Sequence, residues 1–224
     1  MLPRTLEPEI MDSDAEADEY DAIDHQAVNE AFAEDFLAVG NVGTDCLDLG
    51  TGTALIPIEI CQRDSDIRIM AMDASKPMLE LARYRLELAN LTHRIVLHYG
   101  DVNELCFDAN YFDAVVSNSL LHHLPEPVRM LTEAWRVLRP NGLLFVRDLV
   151  RPDTDREVEA LVETHADGES ELSKQLLRQS FHAALRLDEI RSLLVKLGID
   201  PQAVQMTSDR HWTLAVRKQQ VSEA

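Results

Sequence analysis

The order of apolar and polar positions along the chain alternates between two patterns. Short apolar runs bounded by acids, glycines or prolines predict buried strands, and apolar residues between them recur with the spacing of amphipathic helices. The predicted strands lie at 44–49, 67–72, 94–99, 112–118, 143–149, 203–208 and 211–217, and the clearest helices at about 54–63, 75–90, 126–138 and 187–197. Because helices separate most of the strands, the pattern predicts an α/β fold with a doubly wound, mainly parallel sheet.

Local signals mark several element ends. Ser75 is a suitable N-cap, and Pro77 stands within the first turn of the helix that follows. The Pro-Asn-Gly sequence at 140–142 is expected to end a helix before the fifth strand. Residues 151–186 exceed what a simple connection needs and contain two helical patterns divided near Gly168, which predicts a helical insertion after strand five.

The chain before the first strand has two parts. Acidic residues follow one another from Asp12 to Glu19 with no basic residue between them, so residues 1–20 are expected to be a solvated or mobile arm. From Asp24 to Gly40, apolar residues recur with helical spacing, which predicts a helix that packs on the fold. Residues 1–40 are therefore an arm and a covering helix ahead of a main domain at 41–224.

The stretch from Asp48 to Ala54 predicts a ligand-binding turn between the first strand and a helix. Gly50 and Gly52 allow unusual dihedral angles and close approach of the backbone to a ligand, while the helix start offers unpaired N–H groups. A dinucleotide fingerprint would place a third glycine where Leu55 stands. A pyrophosphate site is therefore disfavoured.

Two carboxylates narrow the choice of ligand. Asp48 lies two residues before Gly50, where a negative charge suits an ammonium group and repels a phosphate. Asp73 ends the second predicted strand, where a carboxylate can accept hydrogen bonds from both hydroxyls of a ribose. Together they indicate a nucleoside with a positively charged amino-acid tail.

The sequence Asp-Leu-Gly-Thr-Gly-Thr-Ala at 48–54 resembles motif I of the class I S-adenosylmethionine-dependent methyltransferases. Blocks at 72–75, 100–102 and 112–125 agree with later motifs of that family in order and spacing, and 134–146 is similar to its helix-to-strand-five block. Ala54 stands where a glycine is often found, a change that a small residue should tolerate. The resemblance implies methyl transfer from S-adenosylmethionine, with S-adenosylhomocysteine as the product.

The resemblance also implies further structure and a set of cofactor contacts. It makes the sheet Rossmann-like and seven-stranded, with an antiparallel last strand, and makes the N-terminal helix a lid over the cofactor, although a simple surface cap is an alternative. The residues implied at the cofactor are Tyr20, Asp48, Gly50, Thr51, Gly52, Asp73, Ala74, Met78, Asp101, Val102, Asn118, Ser119, Leu120 and His123.

The net charge of −19, from 40 acidic and 21 basic residues, argues against nucleic acids and anionic membrane surfaces as partners. No apolar run approaches the roughly 20 residues that span a bilayer. We therefore expect a cytoplasmic monomer or homodimer that acts on a small-molecule acceptor.

Cys46, Cys61 and Cys106 are isolated in apolar surroundings and are expected to be reduced core residues.

The chemistry asks little of the protein, because a sulfonium is already a strong methyl donor and positioning alone can supply roughly 7–11 kcal/mol. A base is needed only where the acceptor must lose a proton. The candidate bases are His122, His123, Asp148, His182 and His211, and a structural role is the alternative for each histidine. The acceptor pocket is predicted at the strand-four exit (Ser119, His122, His123), the strand-five exit (Arg147, Asp148) and the last hairpin (Arg210, His211).

Metal binding and acceptor identity complete the expectations. The pair His122-His123 is not expected to bind a metal, because adjacent side chains diverge and no further ligands accompany them. The Leu-His-His-Leu-Pro block resembles the branch of ubiquinone and menaquinone C-methyltransferases. A quinone-precursor C-methyltransferase and a non-catalytic S-adenosylmethionine-binding protein are therefore the alternatives, while Leu55 opposes an NAD-dependent oxidoreductase.

Overall fold

The computed structural model describes residues 1–7 and 26–220 of the chain. The strands are β1 (Asp45–Leu49), β2 (Arg68–Asp73), β3 (Ile95–Tyr99), β4 (Phe112–Asn118), β5 (Leu138–Leu149), β6 (Val204–Met206) and β7 (His211–Arg217). The α-helices are α1 (Gln26–Ala38), α2 (Leu55–Arg63), α3 (Lys76–Leu88), α4 (Pro127–Val137), α5 (Asp155–His165), α6 (Glu171–Ala183) and α7 (Leu187–Lys196). Short 3₁₀ turns lie at Leu121–His123 and Pro201–Ala203.

The strands form one seven-stranded sheet in the order β3-β2-β1-β4-β5-β7-β6. β1 pairs in parallel with β2 and with β4, and β2 pairs in parallel with β3. β6 and β7 are antiparallel to each other. The predicted Rossmann-like sheet, mainly parallel with an antiparallel end, is confirmed. β2 and β3 follow β1 toward one edge of the sheet, whereas β5 follows β4 toward the other edge. The strand order thus reverses between β1 and β4, and sheets of this kind bind ligands at the carboxyl ends of the strands beside this point.

Two predicted strands differ from the structure by more than one residue at an end. β5 begins at Leu138 and runs through the Pro-Asn-Gly sequence, which was expected to be a turn. Backbone hydrogen bonds explain this, because Asn141 N donates to Lys218 O at 2.7 Å and Lys218 N donates to Gly142 O at 2.9 Å. The cross-strand bonds thus outweigh the local turn preference. β6 is shorter than predicted.

The described chain divides into two compact units. The larger unit comprises Met11–Asn118, Val128–Val146 and Ala215–Ala224, and the smaller unit comprises Met1–Ile10, Ser119–Pro127 and Arg147–Leu214. The predicted insertion forms α5 and α6 of the smaller unit. Within the described ranges, no helix has both the length and the apolar character that crossing a bilayer requires. The predicted domain limit at residue 40 stays a prediction.

In the larger unit, α1 supplies part of the hydrophobic core. Phe32 and Phe36 are fully buried, and their rings meet the ring of Phe145 edge-on at centroid distances of 5.2 and 5.7 Å. Such aromatic pairs contribute about 0.5–1.5 kcal/mol beyond area burial. The predicted helix is therefore confirmed from Gln26 onward as a core element. A lid function for it stays a prediction.

In the smaller unit, residues 1–7 are held by side-chain and backbone hydrogen bonds. The guanidinium of Arg4 donates to the carbonyl oxygens of Ala183 at 2.7 Å and Leu124 at 2.9 Å. Thr5 N donates to His182 O at 3.0 Å. The expectation of a mobile arm is therefore wrong for residues 1–7, because an arginine that satisfies several carbonyl groups anchors this segment.

Arg94 in the larger unit joins the end of α2 to the start of β2. Its guanidinium donates to Cys61 O at 2.7 Å and, through Nε, to Ile67 O at 3.0 Å, and it also contacts Asp64 O. These carbonyl groups lie where the helix ends and would otherwise need other donors. One cation thus joins the end of α2 to the start of β2 through three carbonyl oxygens.

We expect Arg94→Ala to lower the free energy of unfolding by about 2–4 kcal/mol, because hydrogen bonds from a charged donor contribute about 1.5–3 kcal/mol. Arg83→Ala is the matched control, since the ion pairs of Arg83 with Glu80 and Glu87 are exposed. The control should lose much less stability. Urea unfolding followed by circular dichroism measures both, and equal losses in the two variants would contradict this assignment.

Candidate functional site

The glycine turn after β1 is tied to the end of β2. The backbone amides of Gly50 and Thr51 both donate to Met72 O at 2.9 Å. Gly50 has a φ of 72°, a conformation that glycine adopts without a steric cost. The turn therefore holds two amide groups on one carbonyl oxygen and cannot move independently of the neighbouring strand.

Asp73 continues this connection with its side chain. One carboxylate oxygen accepts from Gly52 N and the other accepts from Ser75 N, both at 2.8 Å. Gly52 has a φ of 53°, and no described atom lies within 4 Å of the position that a Cβ would occupy there. The two sequence elements predicted to bind a nucleoside are thus joined by a hydrogen bond beside open space.

Ala54 shows why a glycine is common at its position. It precedes α2 with a φ of 62° and is fully buried. A left-handed conformation costs a residue with a Cβ about 1–2 kcal/mol. The methyl group is accommodated, which confirms the expectation that a small residue is tolerated here.

Asp48 is a buried carboxyl group in the middle of the sheet. Asp48 is 2% exposed, and its strand, β1, pairs with β2 on one side and β4 on the other. Burial, followed by the charge of Asp73, raises the pKa of Asp48 to about 7. A nearby positive charge would favour its ionised form.

The other predicted cofactor residues of the larger unit lie along the same strand ends. Gly100 N donates to Asp73 O at 3.0 Å, which brings the exit of β3 to the exit of β2. Asp101 is exposed and accepts from Asn103, and Val102 is buried. The buried Oδ1 of Asn118 has no partner among the described residues. Thr51, Ala74 and Met78 lie in or beside the turns after β1 and β2.

Four of the implied cofactor residues, Ser119, Leu120, His123 and Tyr20, do not lie in the described part of the larger unit. Ser119 and Leu120 are in the smaller unit, where Ser119 has a φ of 55° and its amide donates to Arg147 O at 2.9 Å. Tyr20 lies outside the described residues. Their contacts with a cofactor stay predictions.

A buried histidine and aspartate pair lies in the smaller unit. His122 Nδ1 lies 2.6 Å from Asp148 Oδ1, and Leu149 N donates to the same oxygen at 2.7 Å. Burial disfavours both charged forms, but their attraction prevails: the pKa of His122 is raised and the pKa of Asp148 is lowered. The strand-four and strand-five exits thus meet at this pair, while the acceptor pocket predicted there stays a prediction.

The two adjacent imidazoles also meet a third group. Their ring centroids are 4.1 Å apart, and the carboxylate of Glu7 lies 2.6 Å from His123 Nδ1 and 3.9 Å from His122 Nε2. The expectation that the rings diverge without a further ligand is therefore wrong. Both side chains turn toward a residue 115 or more positions earlier in the chain, which local spacing does not reveal.

The last hairpin adds a neutral histidine. Val150 N donates to Arg210 O at 2.8 Å, so the hairpin adjoins the end of β5. Burial, followed by the charge of Arg210, lowers the pKa of His211 to about 4. His211 is therefore neutral at pH 7.

The remaining predicted residues of the smaller unit have structural contacts. Arg147 is buried, and its Nε donates to Thr213 Oγ1 at 2.9 Å. His182 Nε2 lies 3.7 Å from the exposed carboxylate of Asp155. Sequence reasoning missed Arg4 and Glu7, which lie in a segment whose acidic neighbours indicated an arm.

Comparison with known proteins agrees with this geometry. Residues 47–146 match the family model described as a methyltransferase domain. The chain is 28% identical over 179 residues to the 27-O-demethylrifamycin SV methyltransferase of Amycolatopsis mediterranei, covering 79% of this chain and 62% of that protein. It is 33% identical over 112 residues to the demethylmenaquinone methyltransferase of Listeria welshimeri, covering 50% and 47%. The chain thus spans about three fifths of the length of the Amycolatopsis protein and about half of the length of the Listeria protein.

The fold has a solved counterpart. A putative S-adenosylmethionine-dependent methyltransferase from Methanococcus maripaludis superposes with a TM-score of 0.75 over 98% of this chain and 100% of that one, at 20% identity. This likeness shows the fold, while the family match covers the turn, the paired aspartates and the strands that position them. By the match over residues 47–146 and by its fold, the chain is similar to S-adenosylmethionine-dependent methyltransferases.

Proposed function

We propose that this chain transfers a methyl group from S-adenosylmethionine to a small-molecule acceptor by in-line displacement. The observation that carries the proposal is the hydrogen bond from Gly52 N to Asp73, which joins a glycine turn to a carboxylate beside open space. A ribose needs such a carboxylate, and a ligand that lies against the backbone needs such a glycine.

The residues of the larger unit fit this cofactor. Asp48 would hold the ammonium group and Asp73 the ribose hydroxyls, since a carboxylate oxygen that accepts one amide retains capacity for a second donor. The Oδ1 of Asn118, which has no partner among the described residues, could accept from a donor of the methionine portion. By family resemblance, Asp101 and Val102 neighbour the adenine. When bound, the cofactor supplies an activated methyl group on a sulfonium.

The smaller unit carries the groups proposed to act on the acceptor. The neutral imidazole of His211 can accept a proton, and Arg210 beside it offers a positive charge. Asp148 orients His122 through a buried hydrogen bond. These residues would orient an acceptor and take up its proton.

Two relatives support a small molecule as the acceptor. One is named for a demethylrifamycin and the other for demethylmenaquinone. A quinone-precursor C-methyltransferase is the second candidate, favoured by the 33% identity to the Listeria relative. Incubation with a panel of phenolic and quinone precursors and labelled S-adenosylmethionine would distinguish the two, since C-methylation yields a product stable to ether cleavage.

The cofactor assignment predicts that S-adenosylmethionine and S-adenosylhomocysteine bind and that NAD does not. Asp73→Ala should weaken S-adenosylhomocysteine binding at least about tenfold, because it removes hydrogen bonds to a charged acceptor. Calorimetry measures both. Asp66→Ala, an exposed aspartate before β2, is the control and should bind normally. Tight NAD binding, or unchanged affinity in Asp73→Ala, would refute the assignment.

Asp48 predicts an unusual dependence of stability on pH. Because the folded protein holds this proton up to about pH 7, its contribution to stability is present at low pH and falls as the pH rises from 4 toward 7. Asp48→Asn should therefore stabilise the cofactor-free protein at pH 8, with little effect at pH 4, and should weaken S-adenosylhomocysteine binding.

Urea unfolding at both pH values checks this, with the exposed Asp108→Asn as the control. The expected result is a flatter pH profile for Asp48→Asn alone. If wild type and Asp48→Asn show parallel profiles, the Asp48 carboxyl group titrates as an ordinary surface acid and its proposed role is wrong.

The acceptor assignment predicts that Asp148→Ala, Arg210→Ala and His211→Ala each lower methyl transfer at least about tenfold. Affinity for S-adenosylhomocysteine should stay nearly unchanged, because none of the three is proposed to hold it. His93→Ala, an exposed histidine, is the control. If all three variants transfer methyl at the wild-type rate, the proposed location is wrong and the acceptor pocket is instead expected in the insertion near Phe181 and His182. Asp148→Asn keeps the shape of the buried side chain and guards against a folding artefact.

A further inference from the structure

A cluster of three potential metal ligands lies within the smaller unit. Glu7, His122 and His123 each offer a ligand atom, and these atoms lie within 4.8 Å of one another. Zinc bonds to nitrogen and oxygen of about 2.0–2.2 Å place the ligand atoms of a tetrahedral site roughly 3.3 Å apart. The observed separations of 3.9 Å to His122 and 2.6 Å to His123 lie on either side of this value.

The orientation of His122 matches that of a metal ligand. Its Nδ1 is engaged by Asp148, which is itself fixed by the amides of His122 and Leu149. This leaves Nε2 directed toward Glu7. A carboxylate that engages one ring nitrogen while the other binds a metal is the common supporting arrangement in metalloproteins.

Glu7 is also positioned by its surroundings. Ser180 Oγ donates to Glu7 Oε1 at 2.6 Å, and the carboxylate-bearing side chain is only 12% exposed. Arg4 holds the histidine turn by donating to the carbonyl oxygens of Leu121 and His122. Its positive charge is offset by two carboxylates, Glu7 and Asp148, so the local balance favours a cation.

We propose that Glu7, His122 and His123 form a binding site for one divalent first-row transition ion, with Zn²⁺ as the expected ion. Two imidazoles and one carboxylate suit such an ion better than Mg²⁺ or Ca²⁺, which select oxygen ligands. His123 is 31% exposed, which gives the ion a path from solvent. Three protein ligands leave one position of a tetrahedral ion open to water or to an oxygen of a small molecule.

The test uses the full chain without a polyhistidine tag, treated with a chelator and then titrated. Calorimetry with Zn²⁺ should show one bound equivalent, and Co²⁺ should give visible absorption bands of a nitrogen-ligated tetrahedral ion. S-adenosylhomocysteine affinity is measured in parallel. Metal binding is measured without methyl transfer, so bound Zn²⁺ supports the metal site even if S-adenosylhomocysteine does not bind. If Zn²⁺ does not bind, the methyl-transfer proposal is unaffected.

Matched variants assign the ligands. Glu7→Gln and His123→Asn should each weaken binding of Zn²⁺ at least tenfold, and Asp148→Asn should weaken it by about 10–100-fold, the usual effect of losing a supporting carboxylate. His93→Asn replaces an exposed histidine outside the cluster and should bind Zn²⁺ normally.

Two results would overturn the proposal. One is less than half an equivalent of Zn²⁺ bound by the wild-type chain. The other is unchanged affinity in both Glu7→Gln and His123→Asn, which would assign any bound ion to other groups. Thermal unfolding of each variant without metal confirms that it folds; should His123→Asn fail this check, Glu7→Gln alone decides, since its amide preserves the size of the side chain.

Discussion

The hydrogen bonds between the first turn and the end of β2 are the constraint on which the larger unit depends. Met72 O accepts two amides of the turn, and the Asp73 carboxylate accepts a third. Two strands that pair in parallel from Asp45 to Leu49 thereby end in one rigid turn. A ligand that uses this turn meets a preformed surface and pays little conformational entropy on binding.

The smaller unit depends on a different interaction, the buried contact between His122 and Asp148. Removing two such groups from water is costly, and the cost is offset only where each keeps its hydrogen bonds. Here the carboxylate accepts from the ring and from two backbone amides. The contact also fixes which nitrogen of His122 faces Glu7, so a structural pair determines the chemistry available beside it.

The fold could be predicted largely from the sequence because its signals are local. Apolar runs and helical spacing predicted the strands and helices, and Ser75 caps α3 as expected, with its hydroxyl accepting from Met78 N. The errors have a common cause. At 140–142, hydrogen bonds with the backbone of Lys218 outweighed the local preference of Pro-Asn-Gly for a turn. At 1–7, the hydrogen bonds of Arg4 hold a segment that its acidic surroundings had predicted to be mobile.

By itself the sequence determined the α/β order, the glycine turn, the paired aspartates and hence the likeness to methyltransferases over residues 47–146, since these features need only neighbouring residues in a fixed spacing. It did not determine the protonation of Asp48, which depends on burial within the sheet, or the neutrality of His211. Nor did it show that Glu7 meets two histidines. Only the tertiary structure decided these points, because burial and contacts between residues distant in sequence arise when the whole chain packs.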